Sequence, residues 1–265
     1  MSKKVIKKRL FFDIETSPNI GFFWDSSRKI FLHSDNILFE RKIICISWKW
    51  SYSKKVYHAT WDKDKDDKKM LETFVKCLWE ADEVIAHNGD RFDLPWIRTR
   101  CLIHGIECPV IVTSTDTYKK AKYYFKLNSN KLSYIADLLG CSRKGNTEYQ
   151  WWKDLMWKPY SETEDIMKAM VEYCDQDILV LEEVFEKLKN YIDNTTHYGV
   201  LNGQDKWTCP ECSSKKVRIK TTRVTKAGTQ KKQMNCKKCG KYYQISMKSY
   251  SDYLAHKIQK NSQVA

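Results

Sequence analysis

Two Cys-x-x-Cys pairs fix what the last quarter of this chain can fold into. Cys209-Pro-Glu-Cys212 and Cys236-Lys-Lys-Cys239-Gly240 stand 23 residues apart. Paired knuckles at such a spacing suit tetrahedral coordination of one structural Zn²⁺ by four thiolates. Residues 217–224 and 242–246 alternate as strands, so 207–265 is expected to be a small β zinc ribbon with a C-terminal tail. Redox pairs are the rival reading, but those stand before a helix in a βαβ unit. The six remaining cysteines, Cys45, Cys77, Cys101, Cys108, Cys141 and Cys174, lie singly among apolar neighbours. That is how small core-forming thiols look in a reducing compartment.

The charge is as uneven as the cysteines. Of the net +14, residues 199–265 hold 15 Lys and Arg against 3 Asp and Glu, and residues 1–198 are nearly neutral. A basic excess confined to a rigid module points to a polyanionic partner, and Lys215, Lys216, Arg218, Lys220, Arg223, Lys231 and Lys232 are the candidates to meet phosphates. Such contacts position without reading sequence. A solvated basic face and a protein-binding ribbon are the alternatives.

Before the ribbon, residues 195–206 contain two glycines in polar company and read as a linker, which leaves 1–194 as the larger domain. Its apolar content excludes a disordered chain, and no apolar run approaches the roughly 18 residues of a membrane span. Met-Ser-Lys-Lys leads into no apolar signal core, so cytoplasmic residence is expected, in a host cytoplasm if the chain is phage-encoded.

Strands come first in this domain. Residues 5–14 end in a buried-strand pattern, 43–50 and 56–61 form a hairpin, and together they suggest an antiparallel meander. Alternation follows. Residues 66–81 carry Met70, Phe74, Cys77, Leu78 and Ala81 at helical spacing, 83–86 reads as a strand, and 94–104 returns to helix. A strand at 110–113, a helix at 132–139 closed by Gly140, and one or two helices over 162–191 complete an α/β order.

Three acidic elements punctuate it. Asp13 and Glu15 are two apart at the end of an apolar strand and so face one side. Asp93 closes His87-Asn88-Gly89-Asp90-Arg91-Phe92-Asp93, just after a strand, with Asp90 as a rival ligand and an N-cap as the bland reading. Tyr173 and Asp177 are four apart on a helix and share a face. Each motif alone reads as solvated acid or packing tyrosine. Gathered together, these carboxylates need a hard divalent cation as counter-charge.

In order and residue type the three elements resemble the motifs of the DEDD 3′→5′ exonucleases, which have a ribonuclease H-like fold. Phe-Phe-Asp13-Ile-Glu15-Thr is similar to the first motif, Asn88-Gly-Asp-Arg-Phe92-Asp93-Leu-Pro to the second, and Tyr173-Cys-Asp-Gln-Asp177 to the third. Residues 131–140 resemble the segment between the second and third motifs in proofreading domains of family B DNA polymerases, so the likeness spans about 8–190. Tyr173 four residues before Asp177 marks the DEDDy branch, since the other branch has histidine where Glu172 stands.

The resemblance implies a mixed sheet with flanking helices and a two-metal phosphodiesterase. Asp13, Glu15, Asp93 and Asp177 would ligate two Mg²⁺ or Mn²⁺ ions, and Tyr173 would orient the attacking water. Asn88 and Phe92 are expected at the substrate. No polymerase domain follows, so a stand-alone exonuclease is expected, on single-stranded DNA ends, with RNA left open and a polymerase or replisome component as a protein partner also open. An inactive nucleic-acid-binding adaptor is the alternative.

Overall fold

The computed structural model describes residues 7–24, 33–110, 112–143, 145 and 147–262. Its contacts divide the chain into two units, Lys8–Val184 and a second made of Met1–Lys7 with Phe185–Ala265.

In the first unit, strand β1 (Arg9–Thr16) is followed by a short ribbon of β2 (Ile20–Gly21) and β3 (Ile37–Phe39), then by β4 (Ile43–Trp50) and β5 (Val56–Thr60). Helix α1 (Lys68–Glu80), strand β6 (Glu83–Ala86), helix α2 (Asp93–His104) and strand β7 (Ser114–Asp116) come next. Helices α3 (Thr117–Tyr124), α4 (Leu132–Leu139), α5 (Tyr149–Trp157) and α6 (Glu164–Leu188) follow. The sheet order is β5-β4-β1-β6-β7, with β1, β4 and β5 antiparallel neighbours and β1, β6 and β7 parallel. The expected meander is therefore interrupted by the β2–β3 ribbon and then extended by parallel strands.

Alternation along β1 decides its two faces. Leu10, Phe12 and Ile14 join Trp48, Trp50 and the α1 residues Met70, Leu71, Phe74 and Val75 in one core, with Leu94, Ile97 and Cys101 of α2. Full burial of such side chains stabilises by about 1.5–3 kcal/mol each. The opposite face meets α5 and α6 through Ile44, Cys45, Leu155, Met170, Val171 and Cys174. The unit is thus a three-layer α/β/α structure.

One expected strand shifts and one helix is added. The strand foreseen at 110–113 lies at Ser114–Asp116 instead, residue 111 being outside the described residues. Residues 149–157 form a helix, with Trp151 and Trp152 packed on the α6 core and Trp157 exposed. The first strand starts at Arg9, and positions 5 and 6 of its expected span lie outside the described residues.

In the second unit, α7 (Tyr198–Leu201) precedes a three-stranded antiparallel sheet of β8 (Val217–Val224), β9 (Gln230–Cys236) and β10 (Tyr242–Ser246), ordered β10-β9-β8. Helix α8 (Met247–Ser262) stands where a tail was expected, and its Tyr253 packs with Trp207, Val217, Met234 and Ile245. Residues 195–206, read as a linker, are folded. Tyr198 and Gly199 are buried, and Tyr198 N–H donates to the Pro210 carbonyl at 2.9 Å. Lys241 is buried beside the second knuckle, and its ammonium donates to the carbonyls of Lys189 and Ile192.

Candidate active site

Because Leu10, Phe12 and Ile14 face α1 and α2, Asp13 and Glu15 point to the α6 side of the sheet. There α6 brings up Tyr173, Cys174 and Asp177. Oxygen atoms of Asp13, Glu15 and Asp177 all lie within 4.8 Å of one another. The Cys174 thiol, fully buried, sits 3.6 Å from the Asp13 carbonyl oxygen and 3.8 Å from its Oδ2. A hydrogen bond with Cys45, then burial, then the charges of Asp13 and Glu15 push that thiol well above its usual range. Cys174 therefore stays a neutral donor beneath the acids, a role that depends on the fold bringing it to Asp13.

Asp93 is the first residue of α2, not its N-cap, and is buried. Its Oδ1 accepts from the Ile14 N–H at 3.2 Å, between the two acids of β1. Burial first, and next the charge of Asp13 with a smaller effect of Glu15, raise the Asp93 carboxyl well above the ordinary carboxylate range. Asp93 is thus an electrostatic neighbour of the Asp13–Glu15–Asp177 set while standing outside its tightest grouping. Asp90 is elsewhere: it pairs with Lys119 at 2.8 Å.

The loop after β6 is built to hold Asp93. Asn88 takes a left-handed backbone with φ of 68°, which asparagine tolerates better than most residues. A Cβ on Gly89 would meet the Ala86 Cβ at 2.4 Å, so no other residue fits without moving the strand end. Asp116, buried at the end of β7, accepts from Asn88 N–H at 2.9 Å and Asp90 N–H at 3.3 Å, and also caps α3 through Tyr118 and Lys119. His87 lies 2.9 Å from both Thr117 Oγ1 and the Asn130 carbonyl oxygen, which makes it a structural residue. Asp116 escaped the sequence reading because its partners are backbone amides up to 28 positions away.

Beside this loop runs a groove of about 680 Å³, lined by His87, Asn88, Arg91, Phe92, Tyr118, Lys131, Leu132 and Ser133. Both residues expected at the substrate, Asn88 and Phe92, are in it. On the α6 side, a Cβ on Gly145 would lie 3.3 Å from Tyr173 Cδ2, which places Gly145 against the tyrosine ring. Positions 144 and 146 on either side of it are outside the described residues.

The donor sets fit metals. Three carboxylates with oxygens within 4.8 Å of one another and a buried fourth beside them suit hard divalent cations, which prefer oxygen donors. In the second unit the sulfurs of Cys209, Cys212, Cys236 and Cys239 also group within 4.8 Å, with Cys209–Cys239 at 3.6 Å and Cys212–Cys236 at 3.5 Å. A tetrahedron with Zn–S bonds of about 2.3 Å has edges of about 3.8 Å. Asp66, Asp67 and His104 make a third group, but Arg100 already holds Asp67 through two bonds of 2.8 and 2.9 Å. The counter-charge there is a guanidinium. Lys215, Lys216, Arg218, Lys220 and Arg223 are all exposed, while Lys231 and Lys232 are half-buried on β9.

A three-layer sheet whose acids gather at the end of β1 and on the last long helix defines a ribonuclease H-like nuclease fold. The chain belongs to the RNase H superfamily: the RNase_H_2 family model matches residues 10–189. That membership sets nuclease-type hydrolysis as its activity class. A 54-residue stretch is 32% identical to a DNA polymerase of Methanocaldococcus jannaschii, covering 20% of this chain and 3% of that protein. The fold is similar to that of the family B DNA polymerase from the hyperthermophilic archaeon Pyrobaculum calidifontis, with a TM-score of 0.52 at 16% identity over 69% of this chain and 25% of that one. The chain thus spans a small part of either relative. Among the described residues, no helix is long and apolar enough to cross a membrane.

Proposed function

We propose that the protein is a metal-dependent 3′→5′ exonuclease that hydrolyses phosphodiester bonds at single-stranded DNA ends. One observation carries the reading: Asp13 and Glu15 on β1 meet Asp177 on α6 within 4.8 Å, with Asp93 buried against Ile14 N–H. Asp13, Glu15, Asp93 and Asp177 would hold two Mg²⁺ or Mn²⁺ ions. Such ions, when bound, lower the pKa of a coordinated water and stabilise developing charge on the leaving oxygen.

The chain's own residues do the rest. Tyr173 lies one helical turn before Asp177, and its phenol can both donate and accept a hydrogen bond. It serves better to orient a water than to deprotonate one. Asn88 and Phe92 line the groove that receives the terminal nucleotide. The ribbon, with Zn²⁺ held by its four cysteines, would present the exposed Arg218, Lys220 and Arg223 to phosphates of a polyanion. Opposite Arg223 on β9 stands Lys231, a like-charge cross-strand pair that a polyanion would relieve. On this reading the catalytic domain covers 1–194 and the ribbon domain 207–265.

The deciding experiment is digestion of 5′-labelled single-stranded DNA and RNA with Mg²⁺, beside Asp13→Ala. A ladder shortening from the 3′ end, absent in the variant, is expected. Internal cuts would make the enzyme an endonuclease, preference for RNA an exoribonuclease, and full activity of Asp13→Ala would remove the carboxylate assignment.

A further inference from the structure

Helix α3 begins at the wall of the nucleotide groove and carries an unusual surface. Residues 117–126, Thr-Tyr-Lys-Lys-Ala-Lys-Tyr-Tyr-Phe-Lys, include four lysines and no acid. Asp116 caps the helix, and Ala121, fully buried, pins it to the unit. The rest of the surface faces outward. Tyr123 is 81% exposed, its ring 4.8 Å from that of Tyr124 at 75°, and Lys120 Nζ lies 6.0 Å over the Tyr124 ring.

The geometry connects this surface to the groove. Tyr118 is a groove-lining residue, and Lys122 is one turn further along the same side of the helix. Lys119 and Tyr123 form the adjacent stripe, again four apart, and Lys126 follows just past the C-cap at Phe125. A large aromatic held in water among lysines gains nothing from the fold itself. It gains where a flat apolar partner arrives together with negative charge. Unpaired bases offer a π-face to each aromatic and a phosphate to each lysine, whereas a duplex keeps its bases stacked inside.

We propose that α3 is a track for the single-stranded segment 5′ to the nucleotide being removed, with Tyr123 stacking on a base and Lys122 and Lys126 meeting phosphates. This rests on the exonuclease reading above for its direction, and on α3 alone for its binding. It makes the groove the end of a longer channel, so that substrates several nucleotides long engage surface a dinucleotide never reaches.

The test uses the full chain with Lys122→Gln, Tyr123→Ala and Lys126→Gln combined, beside a conservative set of Lys122→Arg, Tyr123→Trp and Lys126→Arg. Binding of a labelled 12-nucleotide oligothymidylate is read by anisotropy in an Asp13→Asn background with Mg²⁺. Loss of one stacked base and two phosphate contacts should weaken binding about tenfold or more and flatten the slope of log affinity against log salt by about 1.4. The conservative set should keep both within about twofold. In the Asp13 background of the native chain, the ratio of kcat/KM for the 12-mer to that for a dinucleotide should fall by a similar factor. Unchanged affinity and salt slope in the first set would overturn the track, as would equal losses in both sets. A native chain that binds as expected but hydrolyses nothing would overturn the exonuclease reading and leave the track standing.

Discussion

Asp13→Asn is expected to make the protein more stable and inert at the same time. Two unit charges 4.8 Å apart, the outer spacing of the Asp13, Glu15 and Asp177 oxygens, repel by about 3.5 kcal/mol at an effective dielectric of 20 and by about 0.9 kcal/mol in bulk water. Asp13 and Glu15 are only partly buried, so screening brings the relief from neutralising Asp13 to about 1–2 kcal/mol. In a domain of this size that raises the melting temperature by about 2–8 °C. Wild type should gain comparable stability from Mg²⁺, since a ligand at 100 times its Kd contributes about 2.7 kcal/mol. The variant should respond weakly. Differential scanning calorimetry of both chains, with and without added Mg²⁺ and at pH 8, reads all four states. A variant that melts below wild type without Mg²⁺, and that responds to Mg²⁺ as wild type does, would refute the reasoning.

Asp67→Ala should have the opposite sign. Asp67 has no exposed surface and accepts from Arg100 twice and from Ile43 N–H, so its loss leaves a buried guanidinium unpaired and costs about 3–5 kcal/mol in urea unfolding. Burial alone would raise that carboxyl, but Arg100, Ile43 N–H and His104 together hold it below the ordinary aspartate value. Its contribution is therefore complete above the unfolded pKa of about 3.9 and is lost as pH falls through the lower folded value, so the wild-type and variant stability curves should converge only in strong acid. Asp116→Ala frees four backbone N–H groups, two of them in the loop that holds Asp93, and should both raise KM for oligonucleotides and weaken Mg²⁺-induced stabilisation, measured by steady-state kinetics and calorimetry. Cys239→Ser should abolish zinc in metal analysis and open residues 207–262 to limited proteolysis; retained zinc would remove the four-thiolate assignment.

Much of this site could be read from the chain because its acids sit at strand and helix positions with fixed periodicity. Asp13 and Glu15 share a face by the two-residue repeat of β1, and Tyr173 and Asp177 share one by the four-residue repeat of α6. The two knuckles carry their own geometry in their spacing. What stayed hidden depends on contacts between distant segments. Asp116 satisfies amides of another loop, Cys174 reaches Asp13 across 161 positions, and Gly145 meets Tyr173 from an irregular stretch. The strand expected at 110–113 fell at Ser114–Asp116 because pairing with β6, not local composition, sets where β7 begins. Helices α5 and α8 do carry a stripe, Trp151, Trp152, Leu155 and Met156 in one and Tyr250 and Tyr253 in the other, but composition does not say what such aromatics pack against, and the cores around Leu155 and Tyr253 decide them.

The distance between the first and last carboxylates has a temporal meaning during synthesis. Asp13 leaves the ribosome early, yet its partner on α6 lies 164 positions later. Chain growth at about 5–20 residues per second puts roughly 8–33 s between them. During that interval the cluster lacks Asp177 and the Cys174 thiol beneath Asp13, and a nuclease built on it has no complete site. A nascent chain thereby carries no complete acidic cluster until α6 has emerged and docked.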